Sequence, residues 1–248
     1  MSTSLPAHPL LDAAHISPSI FTLRPDYRAL LMIVENLPPG PSDETSEALL
    51  QDAETHIRTL LAAHPETPQI TSLPHIAAWR ATYTSFGAKP QKTRNSLEAL
   101  TRRAATPAGL PRVNRLTDIY NALSIKHQLP FGGEDLDAYD GAPFLVRATG
   151  TEPFQTRSGG ELQTEWAEPG EPVWCDRTGI TCRRWNWRQG PRTALTEGTT
   201  RVLFIVDALG EVVSEEALER AADELEEVLR GLSGEVRVAR RVIGREQV

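Results

Sequence analysis

Residues 113–137 read VNRLTDIYNALSIKHQLPFGGEDLD, and two patterns overlap in the first half of this stretch. One set is apolar and recurs at helical spacing, which predicts a helix over residues 112–125 with this face toward a core: Val113, Leu116, Tyr120 and Leu123. The other set is polar and occupies positions i, i+4 and i+7, so its side chains stack along one side of the same helix: Asn114, Asp118 and Asn121.

The polar stripe costs helix propensity, because Asp and Asn are weak helix formers. A solvated helix face more often carries Lys and Glu, yet the stripe carries neither. We therefore expect it to line a pocket or an internal hydrogen-bond network, with a solvated face as the alternative.

The second half of the stretch is rich in Gly and Asp, which predicts a loop. Gly132 and Gly133 allow the backbone to approach a ligand closely, or to make a tight turn. Asp135 and Asp137 could bind a metal, but two carboxylates alone are a weak signal. A strand is expected next, over residues 144–148.

Residues 170–190, GEPVWCDRTGITCRRWNWRQG, hold three of the five tryptophans. Residues 176–179 predict a hairpin turn between two strands. If residues 183–188 are extended, Trp185 and Trp187 share one face. The opposite face then carries Arg184, Asn186 and Arg188. Two arginines held close repel each other, so this face favours an anionic or carbonyl-rich group between them.

The rest of the chain predicts an α/β (α+β) fold with a mixed sheet flanked by helices. Residues 1–18 contain three prolines and little periodicity, which indicates a loose arm before a single domain over residues 19–248. Strands are expected within residues 20–37 and at 201–206 and 235–242. Further helices are expected from Ser42 or Asp43 to Pro65, from Pro74 to Gly87, from Asn95 to Ala104, and from Ser214 onward. Ser42 or Asp43, Asn95 and Ser214 are the expected N-terminal caps of these helices, and Gly87 is an expected C-terminal cap.

Composition excludes several classes of protein. The net charge of −7 argues against a general nucleic-acid binder, and no apolar run approaches the roughly 20 residues of a membrane helix. The start of the chain lacks the features of a signal peptide. Cys175 and Cys182 form no CxxC pair and have no neighbouring His cluster, so we expect free thiols in the cytoplasm, no metal and no cofactor.

The charge is nevertheless uneven along the chain. Residues 88–115 carry seven basic side chains against the single acid Glu98, whereas the last helix is acidic. An acidic protein can still present one basic face to a phosphate backbone, although a charge run can also be a solvated helix face. The residues expected to contact nucleic acid are Lys89, Lys92, Arg94, Arg102 and Arg103.

Common catalytic signatures are absent from the sequence: there is no P-loop, no GxGxxG, no GxSxG and no HExxH. His127 is the one histidine near the polar helix and the Gly-Gly pair. Any reaction must therefore be an easy one, such as hydrolysis of an activated ester by a positioned water with backbone N–H groups stabilising the oxyanion.

Several segments resemble the B3/B4 domain of the bacterial phenylalanyl-tRNA synthetase β subunit. They are residues 113–121 (VNRLTDIYN), the Leu129–Pro130 pair, the loop that ends at Asp137, the strand at 144–147, and the later hairpin and Thr-rich entry to residues 201–207. Phe86–Gly87, residues 95–103 and the segment RRWNWRQ resemble the free-standing version of this domain. The resemblance covers about residues 86–209.

This resemblance implies an editing pocket that hydrolyses mischarged aminoacyl-tRNA in trans, without a cofactor. It implies that Asn121 is a pocket residue, and we assign it the catalytic role. The expected substrate-binding residues are Asn114, Asp118, Gly132, Gly133, Glu171, Asn186, Arg188, Thr199 and Thr200. The expected partners are aminoacylated tRNA and a small amino-acid ligand, with no membrane. Two alternatives stay open: a non-catalytic module that binds a free amino acid or small metabolite, and a protein-interaction domain.

Overall fold

The structure is a computed structural model that describes residues 8–63 and 70–245. Within them, the helices are α1 (Pro9–Ala13), α2 (Pro18–Leu23), α3 (Glu44–Ala63), α4 (Pro74–Ser85), α5 (Ser96–Ala104), α6 (Arg115–His127) and α7 (Glu215–Leu232). The strands are β1 (His15–Ile16), β2 (Tyr27–Glu35), β3 (Phe131–Asp135), β4 (Phe144–Arg147), β5 (Pro153–Ser158), β6 (Glu161–Trp166), β7 (Pro172–Asp176), β8 (Gly179–Arg183), β9 (Arg188–Gln189), β10 (Val202–Leu209) and β11 (Arg237–Ile243). The predicted α+β class with a mixed sheet and helices is confirmed.

The central sheet has the order β11-β2-β10-β3 and is antiparallel throughout. All eight positions of β10 are buried, because both faces of the sheet are covered. On one face Phe204 and Val206 pack with α6 and α7, and on the other Leu203 and Ile205 pack with Trp79 and other aromatic side chains. This explains the continuous apolar run in the sequence, which is typical of a strand covered on both sides.

The second sheet has the order β1-β4-β7-β8-β5-β6, and β9 pairs with β8. It is mixed, since β1 and β4 are parallel, as are β5 and β8, while its other pairs are antiparallel. The predicted hairpin at residues 176–179 is confirmed. The Asp176 carboxylate accepts hydrogen bonds from the Thr178 and Gly179 N–H groups, which fixes the turn.

The expected helix caps are largely found. Asn95 caps α5 by accepting the Leu97 N–H at 2.8 Å, and Ser214 caps α7 by accepting the Ala217 N–H at 3.2 Å. Gly87 follows the end of α4 with φ +88°, as a residue just after a helix often does. Helix α3 was predicted to end at Pro65, and this position lies outside the described residues.

Residues 8–18 differ from the expected loose arm, and residues 1–7 lie outside the described part. Helix α1 and strand β1 are ordered because apolar side chains of this segment are buried, including Leu11 and Ile16. The Arg241 guanidinium also donates to the carbonyl oxygens of Leu11 and Ala14. No helix in the described residues is long and apolar enough to span a membrane.

Two further local expectations are corrected. The Gly-Asp segment is the edge strand β3 rather than a loop, because its backbone pairs with β10 from Phe131 to Asp135. Residues 183–188 are not extended: Arg184 and Trp185 take φ +49° and +68°, and the chain turns there. Trp185 is consequently buried against Tyr27, with ring centroids 4.8 Å apart, and does not share a strand face with Trp187.

Candidate functional site

A cleft of about 370 Å³ lies where the outer edge of β3 meets α5, α6 and the turn between β8 and β9. That turn, residues 184–187, is called the Trp turn below. The cleft is lined by Ser96, Ala99, Leu100, Arg103, Tyr120, Asn121, Phe131, Gly132, Cys182, Asn186, Trp187, Arg188 and Gln189. Four of the residues expected to act on the substrate are thus brought together: Asn121, Gly132, Asn186 and Arg188.

Asn121 is the most informative of these side chains. It lies on α6 and is only 7% exposed, yet its amide has no hydrogen-bond partner within residues 8–63 and 70–245. The amide oxygen and nitrogen remain accessible in the cleft, where water or a polar ligand can satisfy them. Ser96 Oγ and Arg188 Nε, from two other walls of the cleft, also lack a partner in the described part of the chain, but both atoms are closed off from solvent. The Asn121 amide is therefore the unpartnered group that is suited to hydrogen-bond a polar ligand.

Asn186 is held in place by a buried polar network beneath the cleft. Its Nδ2 donates to Asp207 Oδ2 at 3.1 Å, and its Oδ1 accepts from the Tyr83 hydroxyl at 3.3 Å. Asp207 also accepts from the Tyr27 hydroxyl at 2.5 Å. Burial raises the pKa of Asp207 to about 6, although these hydrogen bonds favour the ionised form. The orientation of Asn186 is therefore fixed from behind the cleft.

The two glycines of β3 have different surroundings. A Cβ on Gly132 would meet only the Ile205 carbonyl oxygen, at 4.0 Å, so this position is open. A Cβ on Gly133 would come within 2.9 Å of the Tyr120 ring, so Gly133 allows Tyr120 to pack against the strand. Gly132 lines the cleft, whereas Gly133 lies behind it and its carbonyl oxygen accepts from Gln189 Nε2 at 2.9 Å.

The arginines near the Trp turn surround one indole ring. The guanidinium carbons of Arg184 and Arg188 lie 4.6 and 5.1 Å from the centre of the Trp187 ring, within the range of cation–π attraction. Glu171 is buried and accepts from Arg183 and Arg184, and Glu165 accepts from Arg183 and Arg188. The anionic group expected between the arginines is therefore supplied by the chain itself, and Glu171 is an ion-pair partner outside the cleft.

Four more expected residues lie outside the cleft. Helix α6 begins at Arg115, so Asn114 is its N-cap: Oδ1 accepts the Thr117 N–H at 2.9 Å, and Nδ2 donates to the Leu195 carbonyl. Asp118 accepts from the Val113 N–H at 2.9 Å and from the Ser42 hydroxyl, in an internal network. Thr199 donates to Asp135 Oδ2 at 2.7 Å, and the Thr200 carbonyl accepts the Leu37 N–H, so both belong to a loop.

The basic residues divide into two groups. Glu98 is fully buried; its two carboxylate oxygens accept from Arg80 Nη1 at 3.0 and 2.8 Å, and it also binds Arg102 at 3.0 Å and Arg94 at 3.7 Å. Lys89, Lys92 and Arg103 are exposed and form no ion pair with other residues of the described chain. Arg103 also lines the cleft, so an uncompensated positive charge stands at its mouth.

Other groups with reactive chemistry do not form a catalytic set. Burial raises the pKa of the Cys182 thiol well above its usual value, so this cleft residue stays protonated. His127 lies on another side of α6 and contacts Glu224 at 2.8 Å. No group of three or more His, Cys, Asp or Glu suited to a metal occurs in the described ranges. The arrangement is a polar cleft with an unpartnered amide in its wall and without a nucleophile–base pair among its lining residues.

Sequence analysis missed several lining residues, namely Ser96, Ala99, Leu100, Tyr120, Phe131, Cys182, Trp187 and Gln189. Tyr120 was assigned to the core because its spacing matches the apolar stripe of α6. Trp187 and Gln189 could not be assigned to the cleft, because the sequence does not show where the chain turns after β8. The position of Trp187 within the arginine-rich segment RRWNWRQ was the one available signal that its ring is only half-buried.

Comparison with known proteins identifies a family. The family model described as the B3/4 domain matches residues 78–230, which is more than half of the chain. No curated protein matches the chain. A similar solved structure is an N-terminal fragment of the phenylalanyl-tRNA synthetase β-subunit from Pyrococcus horikoshii, with 14% identity and a TM-score of 0.45. The match covers 95% of this chain and 53% of that one, so this chain spans about half the length of that fragment.

Proposed function

This chain belongs to the B3/4 domain family, and on that premise we propose that it binds aminoacyl-tRNA and hydrolyses a mischarged aminoacyl ester in trans. The observation that carries the proposal is the amide of Asn121, which has no partner in the described residues, in a cleft whose lining also includes an uncompensated cation, Arg103. Free thiols at Cys175 and Cys182 support a cytoplasmic location, where cysteines stay reduced.

The proposed reaction needs little chemical machinery, because an aminoacyl ester is already activated. A water oxygen attacks the ester carbonyl carbon, the resulting oxyanion collapses, and the ribose hydroxyl leaves with a proton from the attacking water. Asn121 has both a donor and an acceptor, so it can orient the carbonyl and the water together. Holding reactants in this way, in a site with donors aimed at the oxyanion, is an effective source of catalysis.

The edge of β3 offers a donor for the oxyanion. Asp207 donates its N–H to the Pro130 carbonyl, and Leu136 donates to the Arg201 carbonyl, which sets the alternation of the β3–β10 pairing. By that alternation, the backbone groups of Phe131 point away from β10. Phe131 lines the cleft, so its N–H is the donor that we assign to the oxyanion.

The exposed cations would hold the tRNA backbone. Lys89 and Lys92 precede α5, and Arg103 lies near its C-terminal end and lines the cleft. A tRNA strand whose phosphates contact these three residues would follow α5 and bring its aminoacyl end to the cleft. Arg94 and Arg102 were also expected to contact phosphates, but they share the buried charge of Glu98, which lowers their net attraction for an anion.

The test is a deacylation assay with a panel of mischarged tRNAs, including tyrosine esterified to a noncognate tRNA. We expect the protein to release the noncognate amino acid without added metal and to leave the cognate ester intact. The control is the same assay with heat-inactivated protein. If every ester stays intact at a protein concentration well above that of the tRNA, the proposed hydrolysis is wrong.

A second candidate is a non-catalytic module for a free amino acid or a small metabolite. The net charge of −7 favours it, and so does Glu98, whose one negative charge partly offsets Arg80, Arg94 and Arg102, because both weaken attraction to tRNA. Calorimetric binding of a free amino acid, together with the absence of deacylation, would establish this alternative. A protein-interaction role for the acidic α7 would instead leave both assays negative.

A further inference from the structure

The strand β6 ends the second sheet with a free edge and an exposed apolar face. Within the described residues it pairs only with β5. Leu162 and Trp166 are 57% and 55% exposed, and they stand on one face of the strand with Thr164 between them. A soluble protein normally protects such an edge, because it is a template for pairing with another strand.

The backbone of β6 is prepared for a further strand. Gly159 and Gly160 form a two-residue turn with φ +61° and +90°, and Ser158 and Glu161 close it. In such a hairpin the closing pair exchanges hydrogen bonds, and the direction of the backbone groups then alternates. The N–H and C=O groups of Leu162, Thr164 and Trp166 consequently point outward from the sheet.

From this we propose that β6 pairs antiparallel with β6 of a second copy of the chain, across a two-fold axis at Thr164. The pairing joins the two sheets into one continuous sheet. In this register Leu162 lies opposite Trp166 of the second copy, so the exposed apolar side chains cover each other twice. The outward backbone groups of the three residues meet their counterparts, as an antiparallel ladder requires.

The distribution of charge selects this register. Gln163 lies opposite Glu165 of the second copy, so an uncharged amide rather than a like charge faces each carboxylate. A shift by two residues in one direction places Glu161 opposite Glu165, and in the other direction it places Glu165 opposite itself. Like charges directly opposite destabilise a strand pair. A shift by one residue sets outward backbone groups against inward ones.

The partner is therefore a second copy rather than an unrelated strand, because the complementarity is that of the segment with itself. Six residues from each copy make a small interface, so we expect a dissociation constant on the order of micromolar. Glu165 on β6 contacts the cleft residue Arg188, so the proposed interface adjoins the cleft.

Sedimentation velocity of the full chain over a range of about 1 to 500 µM tests the proposal. We expect a reversible monomer–dimer equilibrium. Trp166→Lys removes an apolar contact from both halves of the interface and should raise the dissociation constant on the order of 30-fold or more. Thr164→Pro removes an outward N–H without touching the β5–β6 ladder, and should have a similar effect. Val113→Lys is the matched control, because Val113 is also an exposed apolar residue (53%) but lies outside β6. This variant should leave the equilibrium unchanged.

Circular dichroism of each variant confirms that it is folded, and Trp166→Lys decides the question if Thr164→Pro unfolds. A wild-type chain that stays monomeric over the whole range overturns the proposal. So does a dimer that survives both β6 substitutions. The register is tested by cross-linking with a short bismaleimide: Thr164→Cys should give a covalent dimer, whereas Val113→Cys should not.

Discussion

Replacing Asn121 with Ala separates a role in the cleft from a role in the fold. The amide makes no hydrogen bond to any residue that the structure describes, so its removal leaves no protein group unsatisfied there. Ala is a better helix former than Asn by up to about 0.7 kcal/mol, which offsets the loss of packing. We therefore expect the melting temperature to change by less than about 2 °C, at 2–4 °C for each kcal/mol in a chain of this size.

The effect on activity should be large. A group that orients a carbonyl and a water typically contributes about 10²-fold or more to the rate. We expect Asn121→Ala to lower the single-turnover rate constant of deacylation by about that factor, with the protein in excess over the mischarged tRNA. Both properties are measured on one preparation, by thermal melting and by release of the labelled amino acid.

Asn114→Ala is the matched control, because Asn114 lies on the same side of α6 but serves the fold. It loses the helix cap and the bond to the Leu195 carbonyl, which together stabilise the protein by about 1–2 kcal/mol. The melting temperature should fall by about 2–8 °C, while folded molecules retain the wild-type rate. The reverse pattern, with Asn121→Ala unstable but active, would refute the assignment of Asn121 to the site.

Three further outcomes follow from the structure. Gly132→Val should fill the cleft and abolish deacylation with little loss of stability. Gly133→Ala should lower the melting temperature, because the added methyl group meets the Tyr120 ring; equal melting temperatures for the two variants would contradict this. Replacing Lys89, Lys92 and Arg103 with Ala should reduce the salt dependence of tRNA binding by up to about three phosphate contacts, measured by fluorescence anisotropy, and an unchanged slope would show that they are only a solvated face. Burial raises the pKa of Glu134 to about 7, so its contribution to stability is greatest below the unfolded pKa and is lost as pH rises through about 7. In denaturant titrations, the wild-type free energy of unfolding should fall by about 3 kcal/mol between about pH 4.5 and 8 through this group, and Glu134→Gln should remove that decrease. An equal decrease in the variant and the wild type would disprove the assignment.

The features that sequence analysis predicted are those that short-range patterns determine. Asn95 and Ser214 were identified as helix caps because a cap depends on the neighbouring three residues. Strand β10 was identified because a short run of apolar, mostly β-branched and aromatic residues is typical of a buried strand. Asn121 was placed in a pocket by its position in a polar stripe and by the family resemblance, and it does line the cleft.

The features that it missed depend on contacts between distant segments. Asn114 was grouped with Asn121, but α6 begins three residues later than expected, which makes Asn114 a cap. The anionic partners of the arginines were sought in a ligand, but Glu165 and Glu171 come from β6 and the loop before β7. The turn at Arg184 could not be foreseen, because no Gly marks its positive φ. Long-range pairing, and not local propensity, decides such positions.

The central claim is that the cleft beside Asn121 receives the aminoacyl end of a tRNA. A non-hydrolysable aminoacyl-adenosine, in which an amide replaces the ester, mimics that end, and a crystal structure of its complex tests the claim most directly. We expect the amide carbonyl within hydrogen-bond distance of the Asn121 side chain, with the aminoacyl group against Gly132. An analogue that binds elsewhere on the chain, or a cleft that stays empty at saturating analogue, would contradict the account.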